Sequence, residues 1–126
     1  AGDSMIPSQM LKGTLEGCIL AIIGKQETYG YEISRQLEEY GFGNIAEGTI
    51  YPLLLRLEKN GLITADYRES EKGPKRKYYS LTAEGDREME AFFTSFGELA
   101  EAVRLVAEDL RSSRQTEQQS DRRCGE

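Results

Sequence analysis

The chain has no histidine and no tryptophan. Without an imidazole there is no Ser-His-Asp triad, no Cys-His dyad and no histidine-ligated metal, so the common hydrolytic routes are closed. Only two cysteines occur, Cys18 and Cys124, too few for a disulfide framework or a four-ligand zinc site. No glycine-rich phosphate loop followed by Lys-Ser/Thr is present. Long apolar runs are also missing. The densest, Cys18-Ile19-Leu20-Ala21-Ile22-Ile23, stops at Gly24-Lys25. A membrane span needs about 20 apolar residues, so neither a transmembrane helix nor a secretory leader is expected. These absences point to a cytoplasmic protein that is not an enzyme and uses no metal or cofactor.

What remains is a chain of 126 residues, room for one domain and an appended helix. The net charge is −6, which argues against a generic nucleic-acid coat. The distribution is uneven. Residues 1–81 hold ten Lys/Arg against eleven Asp/Glu, whereas residues 82–126 hold six against eleven. The acid excess therefore lies in the last third.

Ala1-Gly2-Asp3-Ser4, ahead of Met5, reads as a cloning remnant outside the fold. A first helix is expected over about 8–25, with Leu11, Leu15, Cys18, Ile19, Ile22 and Ile23 on one stripe. Thr28 precedes the start of a second, about 30–39, with Ile33 and Leu37 inward and Gly41 and Gly43 closing it. A third, about 46–59, buries Ile50, Leu53, Leu54 and Leu57 and carries Thr49, Pro52, Arg56 and Lys59 on the other face. Pro52 is tolerable if it falls within the first turn or so, and Asn60-Gly61 supplies a left-handed stop. Leu62 to Arg68 and Lys77 to Leu81 then read as strands around a long charged turn, Glu69 to Arg76. Thr82 is a good N-cap for the last helix, with Gly85 where a capping box would place Glu.

The order helix, helix, helix, strand, charged turn, strand, long helix describes a mostly α fold with a small β-hairpin. It is a winged helix-turn-helix over 5–81, followed by a C-terminal dimerisation helix over 82–111. Residues 112–126 are polar and read as a disordered tail. In such a fold the third helix enters the major groove and the hairpin is the wing. Lys72, Lys75, Arg76 and Lys77 put four cations in six positions without an acid, suited to phosphates. Thr49, Tyr51 and Arg56 could contribute from the third helix. Other readings stand beside these. The wing tip could be a solvated turn, Tyr51 could pack on the second helix, Thr49 could be a cap, and Arg56 could pair with an acid. The overall acidity would also suit a winged-helix protein-interaction module without specific DNA binding.

Three ordered segments resemble the PadR-like transcriptional regulators. They are Gly48 to Ile63 (GTIYPLLLRLEKNGLI), Tyr29 to Ile33 (YGYEI) and Gly73 to Gly85 (GPKRKYYSLTAEG), and the resemblance spans about residues 10–110. It implies a homodimeric repressor of double-stranded DNA that binds an inverted repeat. It also implies that Tyr31, Thr49, Tyr51 and Pro52 face DNA from the helix-turn-helix, and Lys75, Arg76 and Lys77 from the wing. The single C-terminal helix resembles the short subgroup. A tryptophan that sandwiches planar drugs in some short members has no counterpart here.

Along the last helix Met89, Phe92, Phe96, Leu99, Val103, Val106 and Leu110 alternate steps of three and four, a heptad stripe that needs a partner. A second copy is the expected partner, with Leu15, Ile19 and Ile22 of the first helix completing the seam; intramolecular packing is the alternative. An effector, where one exists, is expected to be small and hydrophobic and to sit at that seam, with Phe92, Phe93 and Phe96 as lining or as plain dimer core. Cys18 is read as a small core residue rather than a redox sensor, and Cys124 as exposed.

Overall fold

The structure is a computed structural model that describes residues 6–124, with side chains described through residue 118. The expected remnant at residues 1–4 lies outside the described residues. The elements are α1 (Ser8–Leu11), α2 (Leu15–Lys25), β1 (Thr28–Tyr29), α3 (Gly30–Tyr40), α4 (Glu47–Lys59), β2 (Ile63–Ser70), β3 (Gly73–Leu81) and α5 (Ala83–Cys124). The chain divides into two compact units at Ala91/Phe92. No described helix is long and apolar enough to cross a membrane, and no described group of His, Cys, Asp or Glu could hold a metal ion.

The first unit is built around α4. Ile50, Leu54 and Leu57 repeat at helical spacing and are buried, as are Ile19 of α2, Ile33 and Leu37 of α3 and Ile63 of β2. Each such side chain contributes about 1.5–3 kcal/mol of apolar burial. Pro52 is the sixth residue of α4, beyond the first turn where it was expected to cost little. The helix continues through it because Ile50 and Leu54 on either side are fixed in the core. After Lys59, Gly61 adopts φ +74°. Its N–H bonds to Glu58 O, and the Leu62 N–H to Leu57 O, each at 3.0 Å. This is the left-handed stop expected there.

Four expectations are corrected. The first helix is two helices. Lys12 is extended, Gly13 has φ +91°, and the Thr14 hydroxyl donates to Leu11 O at 2.8 Å, stopping α1. Thr28-Tyr29 is a short strand rather than only a helix start; it pairs antiparallel with Tyr78-Tyr79, making a sheet of order β1-β3-β2. The expected long turn is short, because β2 runs to Ser70 and β3 begins at Gly73 with a register irregularity at Arg68/Ser70. Pro74 is compatible with a strand there because β1 pairs only with Tyr78 and Tyr79, leaving β3 one neighbour at the tip. Finally, α5 runs to Cys124, past the expected boundary at Arg111. Residues 112–124 contain no Gly or Pro and are rich in Arg, Gln and Glu, which favour helix. The side chain of Cys124 lies outside the described residues.

The start of α5 is tied to the end of α4. The Thr82 N–H bonds to Leu62 O at 3.1 Å, and the Thr82 hydroxyl reaches Gly61 O at 2.7 Å. The same hydroxyl accepts the Gly85 N–H at 3.0 Å, as an N-cap should. A Cβ on Gly85 would stand 2.0 Å from Leu62 O and 2.7 Å from Leu81 Cδ1. Steric exclusion explains why this capping position holds no Glu. Gly85→Ala should therefore lower stability by about 2 kcal/mol or more in chemical denaturation, the upper range for overpacking a tight site. A loss under about 0.5 kcal/mol, the level of an ordinary surface substitution, would contradict this packing.

Candidate nucleic-acid interface

The face of α4 away from the core presents Tyr51, Pro52, Leu55 and Lys59, all exposed. Their spacing follows from the buried stripe: with Ile50, Leu54 and Leu57 turned inward, these four fall on the opposite side. Leu55, exposed by 59%, has no part in the core, although its sequence neighbours Leu53, Leu54 and Leu57 make it look like one more core leucine. Tyr51 lies across the start of α3. A Cβ on Gly30 would meet its ring at 2.9 Å, so a glycine there lets the ring rest on the backbone. The ring is still half exposed, so it both packs on α3 and remains available.

Three elements converge on a groove of about 340 Å³ lined by Tyr29, Gly30 and Tyr31 at the β1–α3 junction, Tyr51 of α4, and Tyr67, Lys75, Arg76 and Lys77 of the hairpin. Four tyrosines and three cations line it, and no carboxylate among the described residues does. Arg76 stacks over Tyr29 at 4.6 Å, and Tyr29 packs on Tyr78 at 5.3 Å. Tyr29 and Tyr67 were missed by the sequence analysis. The signal for Tyr67 was its place in a strand directly opposite Lys77, which becomes visible only once the register is known.

The predicted site residues divide into groups. Tyr31, Tyr51, Lys75, Arg76 and Lys77 line the tyrosine groove. Thr49 and Arg56 instead line a separate cleft of about 760 Å³ beside α1, α2 and the α3–α4 loop. Pro52 is exposed on α4, and Lys72 is exposed at the hairpin tip. The cations differ in their partners. Arg56 Nε donates to Glu16 Oε1 at 2.6 Å, the pairing left open by the sequence. Lys77 Nζ lies 3.0 Å from Glu58 Oε1, which pushes the lysine pKa up. Lys59, Lys72, Lys75 and Arg76 make no ion pair with any carboxylate among the described residues, so on α4 and the wing they are the cations open to an incoming anion.

Arg68, the β2 residue opposite Arg76, pairs with Glu27 and, at 3.2 Å, with Asp66, and it lies 4.8 Å over Tyr78. Ser80 Oγ also donates to Glu27 at 3.0 Å. This network ties the segment before β1 to both strands.

The expected dimer residues also divide. Leu15, Ile19 and Ile22 are 8%, 0% and 4% exposed and belong to the core of the first unit. This corrects their placement at a seam between copies, because the stripe of α2 is already buried in the core of the first unit, with α3 and β3 against it. Met89 packs partly against the same core. Within the second unit Phe92 is half-buried, with Phe93 edge-on at 5.0 Å and Phe96 stacked at 5.9 Å. Phe93, Phe96, Leu99, Val103, Val106 and Leu110 are exposed. Arg104 pairs with Glu101 at 2.7 Å and Glu108 at 2.6 Å, on the side of α5 away from that stripe. Cys18 is half-buried, and desolvation pushes its thiol pKa up, as expected of a core cysteine.

The model of the Transcriptional regulator PadR-like family matches residues 19–91, more than half of the chain. The chain belongs to this family. The matched span begins within α2 and ends within α5, so it takes in α3, α4 and the whole hairpin. A crystal structure of a PadR-like transcriptional regulator from Bacillus cereus is 50% identical, with a TM-score of 0.71 over 78% of this chain and 95% of that one. An uncharacterised protein of Lysinibacillus sphaericus is 34% identical over 108 residues, 84% of this chain and 99% of that one. Bacillus subtilis PadR, solved in complex with operator DNA, is 29% identical with a TM-score of 0.59 over 64% of this chain and 46% of that one. The protein is thus a PadR-family transcriptional regulator rather than an enzyme, with the winged-helix fold of that family.

Glu27 gives the site a pH dependence. The Arg68 guanidinium and the Ser80 hydroxyl hold its carboxyl below the usual carboxylate range. A depressed folded-state pKa contributes stability above the unfolded value, about 4.3, and loses it as pH falls through the folded value. Melting temperatures of wild type and Glu27→Gln should therefore differ near neutral pH, and the gap should close as acid protonates the Glu27 carboxylate of the folded protein. A gap that persists unchanged into acid would show that the carboxylate charge is not what Arg68 and Ser80 hold.

Proposed function

We propose that this regulator is a homodimeric repressor that binds an inverted-repeat operator through α4 and the hairpin. The observation that carries the reading is the groove in which α3, α4 and the wing meet, lined by no carboxylate among the described residues and by two cations, Lys75 and Arg76, that form no ion pair there. Cations without internal partners release counterions when they meet phosphates, which is the main source of affinity for a duplex. The exposed side of α4, with Tyr51, Pro52 and Leu55, offers apolar and hydroxyl contacts to base edges. The relative solved with operator DNA supports the same use of the fold.

The exposed heptad stripe of α5 supports the dimer. Phe96, Leu99, Val103, Val106 and Leu110 present apolar area that a second copy would bury. In a two-fold dimer the two copies of α4 meet half-sites about one helical turn, roughly 34 Å, apart. The cluster of Phe92, Phe93 and Phe96 is where a small hydrophobic effector would find an apolar lining.

Two experiments test this. Binding of a labelled duplex from the protein's own upstream region should be tight, selective over a scrambled duplex, and steeply salt-dependent. The Lys72→Ala/Lys75→Ala/Arg76→Ala variant should bind both duplexes more weakly and reduce the salt slope by up to about 3. An unchanged slope would remove the wing from the interface. Light scattering should show Phe96→Asp as a monomer, and a persisting dimer would exclude the α5 stripe as the seam.

A further inference from the structure

Glu58 and Lys77 lie at the junction of α4 and the wing, and their environment differs from that of the other wing cations. Glu58 occupies the last turn of α4, where the helix dipole disfavours a carboxylate. Helix stability therefore gives no reason for an acid at this position. Its Oε1 is shielded from solvent and lies 3.0 Å from the Lys77 ammonium. Lys77 is the β3 partner of Tyr67 on β2. Its ammonium stands 5.9 Å from the Tyr67 ring centre and 5.6 Å from that of Tyr79. One ammonium thus meets a carboxylate from α4 and an aromatic ring from each strand of the hairpin. Lys75 and Arg76, two residues and one residue away, are exposed and have no carboxylate partner among the described residues.

The hairpin needs such a contact. β1 pairs with β3 only at Tyr78 and Tyr79, so the part of the wing that carries Lys75 and Arg76 is a two-stranded ribbon. An isolated two-stranded ribbon is marginal in water and free to twist. A reader that uses a helix in the groove and a wing on the backbone requires a fixed angle between the two. Both partners are about one-third exposed, at 31% and 34%. Pairs this accessible add little to global stability, so the consequence of this one is geometric.

We propose that Glu58 and Lys77 are positioning residues that latch the wing to α4, so that Lys75 and Arg76 meet phosphates while α4 meets bases; Lys77 acts through Glu58 and not on a phosphate. This rests on the DNA-binding reading and adds to it a role for one acid and a different role for one of the cations. It also separates two otherwise similar outcomes. If Lys77 were a phosphate contact restrained by Glu58, neutralising Glu58 would release it, strengthen binding and steepen the salt slope. If the pair is a latch, neutralising Glu58 weakens selective binding.

The test uses the full chain carrying Glu58→Gln, Lys77→Met, both together, or Lys75→Ala as the phosphate-contact control. Affinity for the upstream and scrambled duplexes is measured over a salt series. Each single neutral variant should weaken binding to the selective duplex by about tenfold, and the double variant by no more than either single, as for a coupled pair. Glu58→Gln and Lys77→Met should change the salt slope alike, whereas Lys75→Ala should lose about 1 from its slope. Tighter binding by Glu58→Gln, or a slope loss of about 1 in Lys77→Met that Glu58→Gln does not share, would overturn the latch and return Lys77 to the phosphate contacts. A second readout needs no DNA. In the free protein, amide hydrogen exchange at Tyr67 and Lys77 should quicken by about tenfold in Glu58→Gln while the core amide of Leu54 keeps its protection. Unchanged exchange in the hairpin would also overturn the latch. If the wild type fails to distinguish the duplexes, the DNA-binding reading falls, and the exchange comparison still decides whether the pair holds the wing.

Discussion

Burial of one side of α4 is the constraint from which the rest of the structure follows. Ile50, Leu54 and Leu57 must be covered, and α2, α3 and the base of the hairpin supply the cover. Because the stripe is narrow, the opposite side is left in solvent with Tyr51, Pro52 and Leu55 upon it. The helix is thereby held rigidly and presented at the same time. Its flanks carry ion pairs, Arg56 to Glu16 of α2 and Glu58 to Lys77 of β3. Packing settles which way the helix faces, and the Glu58–Lys77 pair bears on how the wing stands beside it.

Most of this architecture was legible in the sequence because it is written in local periodicity. The stripe of α4, the stop at Gly61 and the N-cap at Thr82 each depend on residues within a turn of one another. What escaped depends on distant residues. β1 is two residues long and exists only because Tyr78 and Tyr79 lie beside it. The apolar stripe around Ile19 and Ile22 was identified correctly as a stripe, but a stripe does not say what covers it, and here the chain itself does. The shorter turn of the wing follows from pairing across the hairpin, whose register the charged residues obscured.

The candidate site was less legible than the fold, for an electrostatic reason. The sequence shows six conspicuous cations on α4 and the wing, Arg56, Lys59, Lys72, Lys75, Arg76 and Lys77. It does not show that Glu16 and Glu58, 40 and 19 positions away from their partners, neutralise two of them. A net charge of −6 is likewise compatible with a positive surface, because the acid excess lies on α5 and beyond, residues 82–126, and the tip of the wing contains no acid between Lys72 and Lys77. Tyr29 and Tyr67 complete the groove only after three separate segments have been folded together.

The sheet order leaves a further consequence at the wing. Among the described residues β2 has no partner on its outer side, and β3 has none beyond Tyr78 on the other. Two lines of unpaired backbone groups run toward the tip, and such edges invite strands from other molecules. Pro74 offers no N–H to an intruder, and Lys72, Lys75 and Arg76 bring a like charge against any second copy of the same ribbon. The residues that would attract a nucleic acid also keep these wings from adding to one another edge to edge. Solubility and recognition at this hairpin thus draw on the same few side chains, and the wing is short of places where charge could be given up without a risk of aggregation.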